Sequence, residues 1–236
     1  WKARTAAFVA APYCPSEMPV RKKFMVLVMG LVSLGAMAGC DDDSKSVKVP
    51  AAVQAAFGEM FPAASHVEWE DKGGYMVADF RSAGMYMQAW FDAAGKWYMT
   101  EEDISYAELP RAVRTAYEAG DYAAWHVDDV DKLLRNGQET VYVLEVERAE
   151  QEFDLYYSED GVLLREVPDR DGNDDHGDML PQELSKAISD FIARKYPGAR
   201  IVDAEREKGN TEVDIIFAGK ALEVCFGTGD AWLWTK

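Results

Sequence analysis

Cysteine is almost missing from this chain of 236 residues, with 3 copies at Cys14, Cys40 and Cys225. Histidine is equally rare, with 3 copies at His66, His126 and His176. None of these falls in a His-x-x-x-His or paired-Cys spacing, so no transition-metal site can be read from the sequence. Basic residues are scarce too: 25 stand against 42 acidic ones, a net charge of −17. So acidic a chain is repelled by nucleic acid, whose affinity rests on Lys and Arg at phosphates, and adheres poorly to anionic headgroups. No apolar run reaches the roughly 20 residues that span a bilayer as a helix. Also missing are Gly-x-Ser-x-Gly, His-Glu-x-x-His and a phosphate-binding glycine loop, since Gly227-Thr228-Gly229 lacks a third glycine. Carboxylates are too numerous for one pair to stand out as an acid/base couple. Cys225 has no histidine placed by sequence to activate it. These absences exclude the familiar catalytic constellations, and no cofactor is expected.

The apolar run that is present, Phe24 to Ala38, follows Met18-Pro19-Val20-Arg21-Lys22-Lys23 and ends in Met37-Ala38-Gly39-Cys40. A basic start, a short apolar stretch and small residues before a cut define a secretory signal. Ala38-Gly39-Cys40 resembles the bacterial lipobox, which implies acylation of Cys40 as the first mature residue. Residues 1–17 are expected to be upstream translation, 18–39 the signal peptide and 40–48 a disordered acidic tether. Asp41-Asp42-Asp43 after the Cys resembles a surface-export signal, whereas Asp directly after the Cys resembles an inner-membrane retention signal, so either envelope location fits. Without residues 1–39 the chain keeps 20 basic and 41 acidic residues, and with Cys40 acylated only Cys225 stays a free thiol, so no intrachain disulfide can form.

The mature part repeats itself. Residues 49–107 read as one helix from Val49-Pro50 to a Phe61-Pro62 stop, then four strands around His66–Glu70, Tyr75–Phe80, Tyr86–Phe91 and Lys96–Met99. Residues 108–168 repeat the order from Leu109-Pro110, with a helix over Arg111–Glu118 and an Asn136-Gly137 hairpin signal. After an acidic linker, 169–178, residues 179–236 repeat it again from Leu180-Pro181, with a helix from Gln182 to Lys195. Phe61-Pro62-Ala63-Ala64 and Tyr196-Pro197-Gly198-Ala199 align as helix stops. The pattern predicts an α+β fold made of tandem repeats. Each repeat is one helix plus a four-stranded antiparallel sheet, with helices packed on one sheet face.

Val/Leu-Pro at a helix start, aromatic-Pro-Gly/Ala-Ala at its end, and Phe91-Asp92-x-x-Gly95-x-Trp97 resemble PepSY-like domains, which are secreted or lipid-anchored bacterial modules similar to beta-lactamase-inhibitor repeats. The resemblance covers nearly all of 49–236. It implies an antiparallel sheet with helices on one face and a binding or inhibitory role in the envelope. No local motif carries over the inhibitors' binding residues.

Alternation sorts the strands into faces. Met76, Ala78 and Phe80, with Met87, Ala89 and Phe91, are expected to face the helices; in the later units Leu144, Leu155, Ile215 and Val224 do the same. The other face of the first unit carries Tyr75, Tyr86 and Trp90. Exposed aromatic patches mark interaction sites, so these three are the candidate binding face, unless another part of the chain covers them. In the linker, Asp169, Asp171 and Asn173 have the spacing of a calcium loop's first ligands, but Asp174 replaces the turn glycine and Leu180 the bidentate Glu. They are weak calcium candidates in a solvated linker. The expected function is a non-enzymatic, lipid-anchored envelope protein that binds a protein or peptide, in the manner of an inhibitor, through a sheet face or loops. A spacer at the membrane surface and a hydrolase without a recognisable motif are the alternatives.

Overall fold

A computed structural model describes residues 47–168 and 176–236. Cys40 and the calcium-loop positions Asp169, Asp171 and Asn173 lie outside them. The element order is one helix and four strands, three times over: α1 (Ala51–Met60) with β1 (Ser65–Lys72), β2 (Tyr75–Ser82), β3 (Met85–Phe91) and β4 (Trp97–Asp103); α2 (Arg111–Ala119) with β5 (His126–Arg135), β6 (Val141–Arg148), β7 (Gln151–Ser158) and β8 (Leu163–Pro168); α3 (Lys186–Lys195) with β9 (Arg200–Glu207), β10 (Asn210–Phe217), β11 (Lys220–Phe226) and β12 (Trp232–Thr235). None of these helices is long and apolar enough to cross a membrane.

Local chemistry explains the repeated order. Phe61 and Tyr196 end α1 and α3 with nearly the same backbone, φ −125° and −127°. Each donates its N–H back into the helix, to the carbonyls of Phe57 and Ile192, because the following proline cannot continue the ladder. Gly95 and Gly161 close the β3–β4 and β7–β8 turns with φ +86° and +82°. A Cβ there would lie 2.7 Å from the Ala52 carbonyl oxygen and 2.6 Å from that of Ala112, so glycine lets each hairpin touch the first turn of its helix. The third segment uses another device: Ser185 Oγ accepts from the Ile188 N–H at 3.2 Å and donates to Asp230 of the β11–β12 turn at 2.6 Å. That cap starts α3 at Lys186, four residues later than the expected Gln182.

The sheets are not three separate four-stranded units. Strands β1 to β8 form one eight-stranded antiparallel sheet in sequence order, and β12-β11-β10-β9 form a four-stranded one. The junction is β4 against β5, where Glu102 faces Lys132 and their side chains pair at 2.8 Å. Thr100 faces Leu134 on the same strands, so an opposite-charge pair and a Thr–Leu pair join two would-be edges.

Val53 and Phe57 of α1 pack with Met76, Ala78, Phe80, Ala89 and Phe91. Val113 and Tyr117 of α2 pack with Leu144, Val146, Leu155 and Tyr157. Ile188 and Ile192 of α3 pack with Val213, Ile215, Val224 and Phe226. A fourth cluster uses the opposite face of the large sheet. Val77, Trp90, Met99, Leu133, Val143 and Tyr156 meet Met179 and Leu180 before α3, and Val202 and Ile216 of the small sheet. The large sheet is therefore buried on both sides, and Leu180 belongs to this core while α3 starts only at Lys186.

Candidate interaction site

Trp90, expected on an exposed binding face, lies in that fourth cluster with 3% of its surface exposed. Its Nε1–H donates to Gln88 Oε1 at 2.8 Å, and Gln88 Nε2 donates to Asp79 at 2.9 Å, so its one polar atom is satisfied inside. The face reading of alternation was correct, but the elements before and within the third segment cover that face. Tyr75 packs half-buried against Trp90 and Tyr98. Tyr86 alone of the three is exposed, at 43%, with the Arg81 guanidinium 3.9 Å from its ring centroid. The three do not form a joint patch.

Several polar groups sit inside the same layer. Arg135 of β5 reaches the small sheet: Nη1 donates to Asp203 at 3.1 Å and Nη2 to the Val202 carbonyl at 2.8 Å, while Nε and Nη2 also donate to the Glu139 carbonyl. Both partners are buried, and burial dominates both: it holds the Arg135 guanidinium below its ordinary pKa and pushes the Asp203 carboxyl above its own. His176 is also buried. Its Nε2 lies 3.5 Å from Asp131 Oδ2 and its Nδ1 3.2 Å from the Tyr156 hydroxyl. Burial alone would lower its pKa; the hydrogen bond to Asp131 and the charge of Glu101 outweigh that and raise it to about 10. His176 is therefore an imidazolium at neutral pH, pinning the chain ahead of α3 to the large sheet. Sequence spacing could not find this group, because its members are 30 and 45 residues apart in the chain. Glu101, Asp131 and His176 bring donor atoms within 4.8 Å of one another, as do Asp129, Asp131 and Glu145, and the exposed His126, Asp128 and Glu147. Cys225 is buried, and burial pushes its thiol pKa up, which makes it inert rather than nucleophilic.

A cleft among the described residues opens to solvent. It has a volume of about 250 Å³ and runs between Leu164 and Arg165 of β8 and the small sheet's Asp203, Glu205, Glu212, Asp214 and Glu223, with Lys236 at its side. The register within the small sheet sets Glu205 opposite Glu212, Asp203 opposite Asp214, and Asp214 opposite Glu223. Like charges directly opposite destabilise a sheet. Asp214 shows the cost: burial first, then the Asp203 carboxylate, push its pKa up to about 7. Burial also raises Glu212. Lys236 pairs with Glu223 at 3.1 Å, and the Arg165 guanidinium lies over the Tyr156 ring and pairs with Asp178. A folded pKa raised above the unfolded value means that Asp214 stabilises the fold most below about pH 4, and that this stabilisation is lost as pH rises towards 7. Asp214→Asn should therefore raise the melting temperature at pH 8, with the gap from the parent closing by pH 4. An equal gap at both values would contradict a strained carboxylate.

Strand β12 borders the cleft and is an outer strand of its sheet. Trp232, Leu233 and Trp234 are 43%, 47% and 37% exposed. Trp232 stacks on Phe191 with Lys195 3.5 Å above its ring, and the Lys236 ammonium lies 5.2 Å from the Trp234 ring. Trp234 pairs with Cys225 and Lys236 with Glu223, so both rise on the cleft side. Neither the cleft nor this edge was singled out from the sequence. Lys208-Gly209 forms the β9–β10 turn, and counting outward from it sets Glu205 against Glu212 and Asp203 against Asp214.

The comparisons with known proteins agree with this architecture. The profile of the PepSY-like family, described as beta-lactamase-inhibitor-like, matches residues 74–165, which span β2 to β8. A BLIP-like protein of Bacteroides fragilis is 40% identical, with a TM-score of 0.53, the match covering 58% of this chain and 97% of that one. A DUF2874 family protein of Bacteroides ovatus is 31% identical with a TM-score of 0.53, covering 56% and 95%. A protein of Bacteroides eggerthii described as periplasmic is 25% identical with a TM-score of 0.50, covering 52% and 90%. No curated protein gives a significant match. With a relative 40% identical matched over nearly its whole length, this chain belongs to the PepSY-like, beta-lactamase-inhibitor-like family.

Proposed function

We propose that this is a non-enzymatic envelope protein, anchored by lipid on Cys40, that binds a protein partner through the β12 edge and the acidic cleft beside it. The observation that carries the reading is Trp232-Leu233-Trp234 exposed in a row on an outer strand, where folded proteins ordinarily place charge or proline. Membership of an inhibitor-like family, with periplasmic relatives, supports binding in the envelope over catalysis. We further read the chain as three tandem copies of one unit, at 49–107, 108–168 and 179–236. The matched closures at Phe61 and Tyr196, and at Gly95 and Gly161, support it.

The test has two parts. Mass spectrometry of the processed N-terminus should find diacylglycerol on Cys40; an unmodified Cys40, or a start elsewhere, removes the anchor. The immobilised protein should retain a stoichiometric partner from envelope extract and lose it when Trp232 and Trp234 are replaced by Ser. Retention indifferent to those changes removes this surface from the proposal.

A further inference from the structure

The partner's chemistry follows from the same surface, and this inference rests on the binding reading above. We propose that β12 receives an extended segment carrying lysine or arginine at alternate positions, added as a fifth strand, with its basic side chains directed at the acidic cleft.

Two observations point the same way. The first is backbone. Glu223 and Lys236 exchange both of their N–H···O bonds, at 3.0 Å each. In an antiparallel pair such residues alternate with ones whose N–H and C=O face the other way. Thr235, paired with Val224 next in the ladder, therefore presents its amide and carbonyl to the outer edge. The other outer strands are guarded: β1 carries Glu68, Glu70 and Asp71, β8 carries Arg165, Glu166 and Pro168, and β9 carries Glu205, Arg206 and Glu207. Strand β12 reads Trp-Leu-Trp-Thr, with no charge at all. An unguarded edge with side-chain anchors is the template that strand addition uses.

The second is charge. Five carboxylates line the cleft against Arg165 and Lys236, and three of their cross-strand pairings are like-charged. A cationic side chain entering there relieves repulsion that the free protein holds. Its aliphatic stem would lie over the exposed Trp234 ring while the charged head reaches the carboxylates, as long basic side chains do. The intervening side chains of the added strand would meet the Trp232 side of β12. A second copy of this chain is a poor occupant by the same criterion, since its unguarded edge is identical and uncharged and its β1 edge is acidic.

The probe is the peptide acetyl-Thr-Lys-Val-Lys-Val-Thr-amide, titrated into the full chain and followed by tryptophan fluorescence and calorimetry. Its Glu-for-Lys analogue and a version N-methylated on alternate amides serve as comparisons. The Lys peptide should bind at least about tenfold more tightly than either, a difference of roughly 1.4 kcal/mol, and more weakly as salt rises. Glu212→Gln with Glu223→Gln should weaken it several-fold. Thr235→Pro removes the outward amide, whereas Thr235→Val loses the same hydroxyl but keeps that amide. The Pro variant should lose the peptide and the Val variant keep it, with both folded by circular dichroism. Equal binding of the Lys and Glu peptides, full binding by the N-methylated peptide, or concentration-dependent dimers in place of peptide binding overturns the inference. If the envelope pull-down still depends on Trp232 and Trp234 while these peptides do not discriminate, the surface stands and only the partner's chemistry fails.

Discussion

Arg135→Ala is expected to destabilise the protein by about 3–5 kcal/mol, the usual cost of leaving a buried charge without its partner. Arg135 reaches from β5 to the small sheet, and its removal strands Asp203 and the Val202 and Glu139 carbonyls together. The pair is nevertheless not the cheapest way to join the sheets. Burial dominates the pKa of each partner, and it acts against the charged form in both cases. Arg135→Met with Asp203→Leu should recover nearly all of the loss, since well-packed apolar replacements of buried ion pairs are often neutral or better. Urea melts of the two single variants and the double give the coupling directly. A double variant as unstable as Arg135→Ala would mean that the network as a whole, and not the isolated charge, holds the sheets together.

Trp90→Ala should cost about 3–5 kcal/mol, as core truncations of large aromatic residues do. Trp90 fills the layer between the large sheet and Met179, Leu180, Val202 and Ile216. Its loss leaves a cavity and strips Gln88 of a hydrogen-bond donor. Phe91→Ala, on the opposite face against Phe57, should cost a similar amount. Tyr86→Ala, on the same strand but exposed, should change stability by no more than about 0.5 kcal/mol. Thermal or urea melts of the three separate the cases. A near-silent Trp90→Ala beside a costly Phe91→Ala would return Trp90 to the surface and undo the inter-sheet core.

Much of the fold was legible because short antiparallel strands advertise themselves by alternation and turns. Met76, Ala78 and Phe80 face α1 as period two requires, and Asn136-Gly137 closes β5 on β6. Aromatic-Pro stops ended α1 and α3 at the residues that carry them. What alternation cannot give is the distant cover of a face. Trp90 and Val202 are separated by more than a hundred residues, and no local pattern says that they touch. The joining of β4 to β5 was hidden for a similar reason, because any two antiparallel edges of compatible charge can pair. The buried His176 looked like one residue of an acidic linker, since its partners Asp131 and Tyr156 come from other strands. The acidic cleft was within reach: the facing carboxylates follow from the Lys208-Gly209 turn once register is counted. It was passed over because, in a chain of this charge, acidic residues drew no notice one at a time.

The central claim is that the β12 edge, and not the aromatic face of the first unit, is where a partner lands. Hydrogen exchange read amide by amide on the full chain, with and without saturating Lys peptide, tests it most directly. The account predicts marked slowing at Thr235 and its neighbours in β12, with β1 and the Tyr86 end of β3 unchanged. Slowing at β1 or around Tyr86, with β12 untouched, would contradict it.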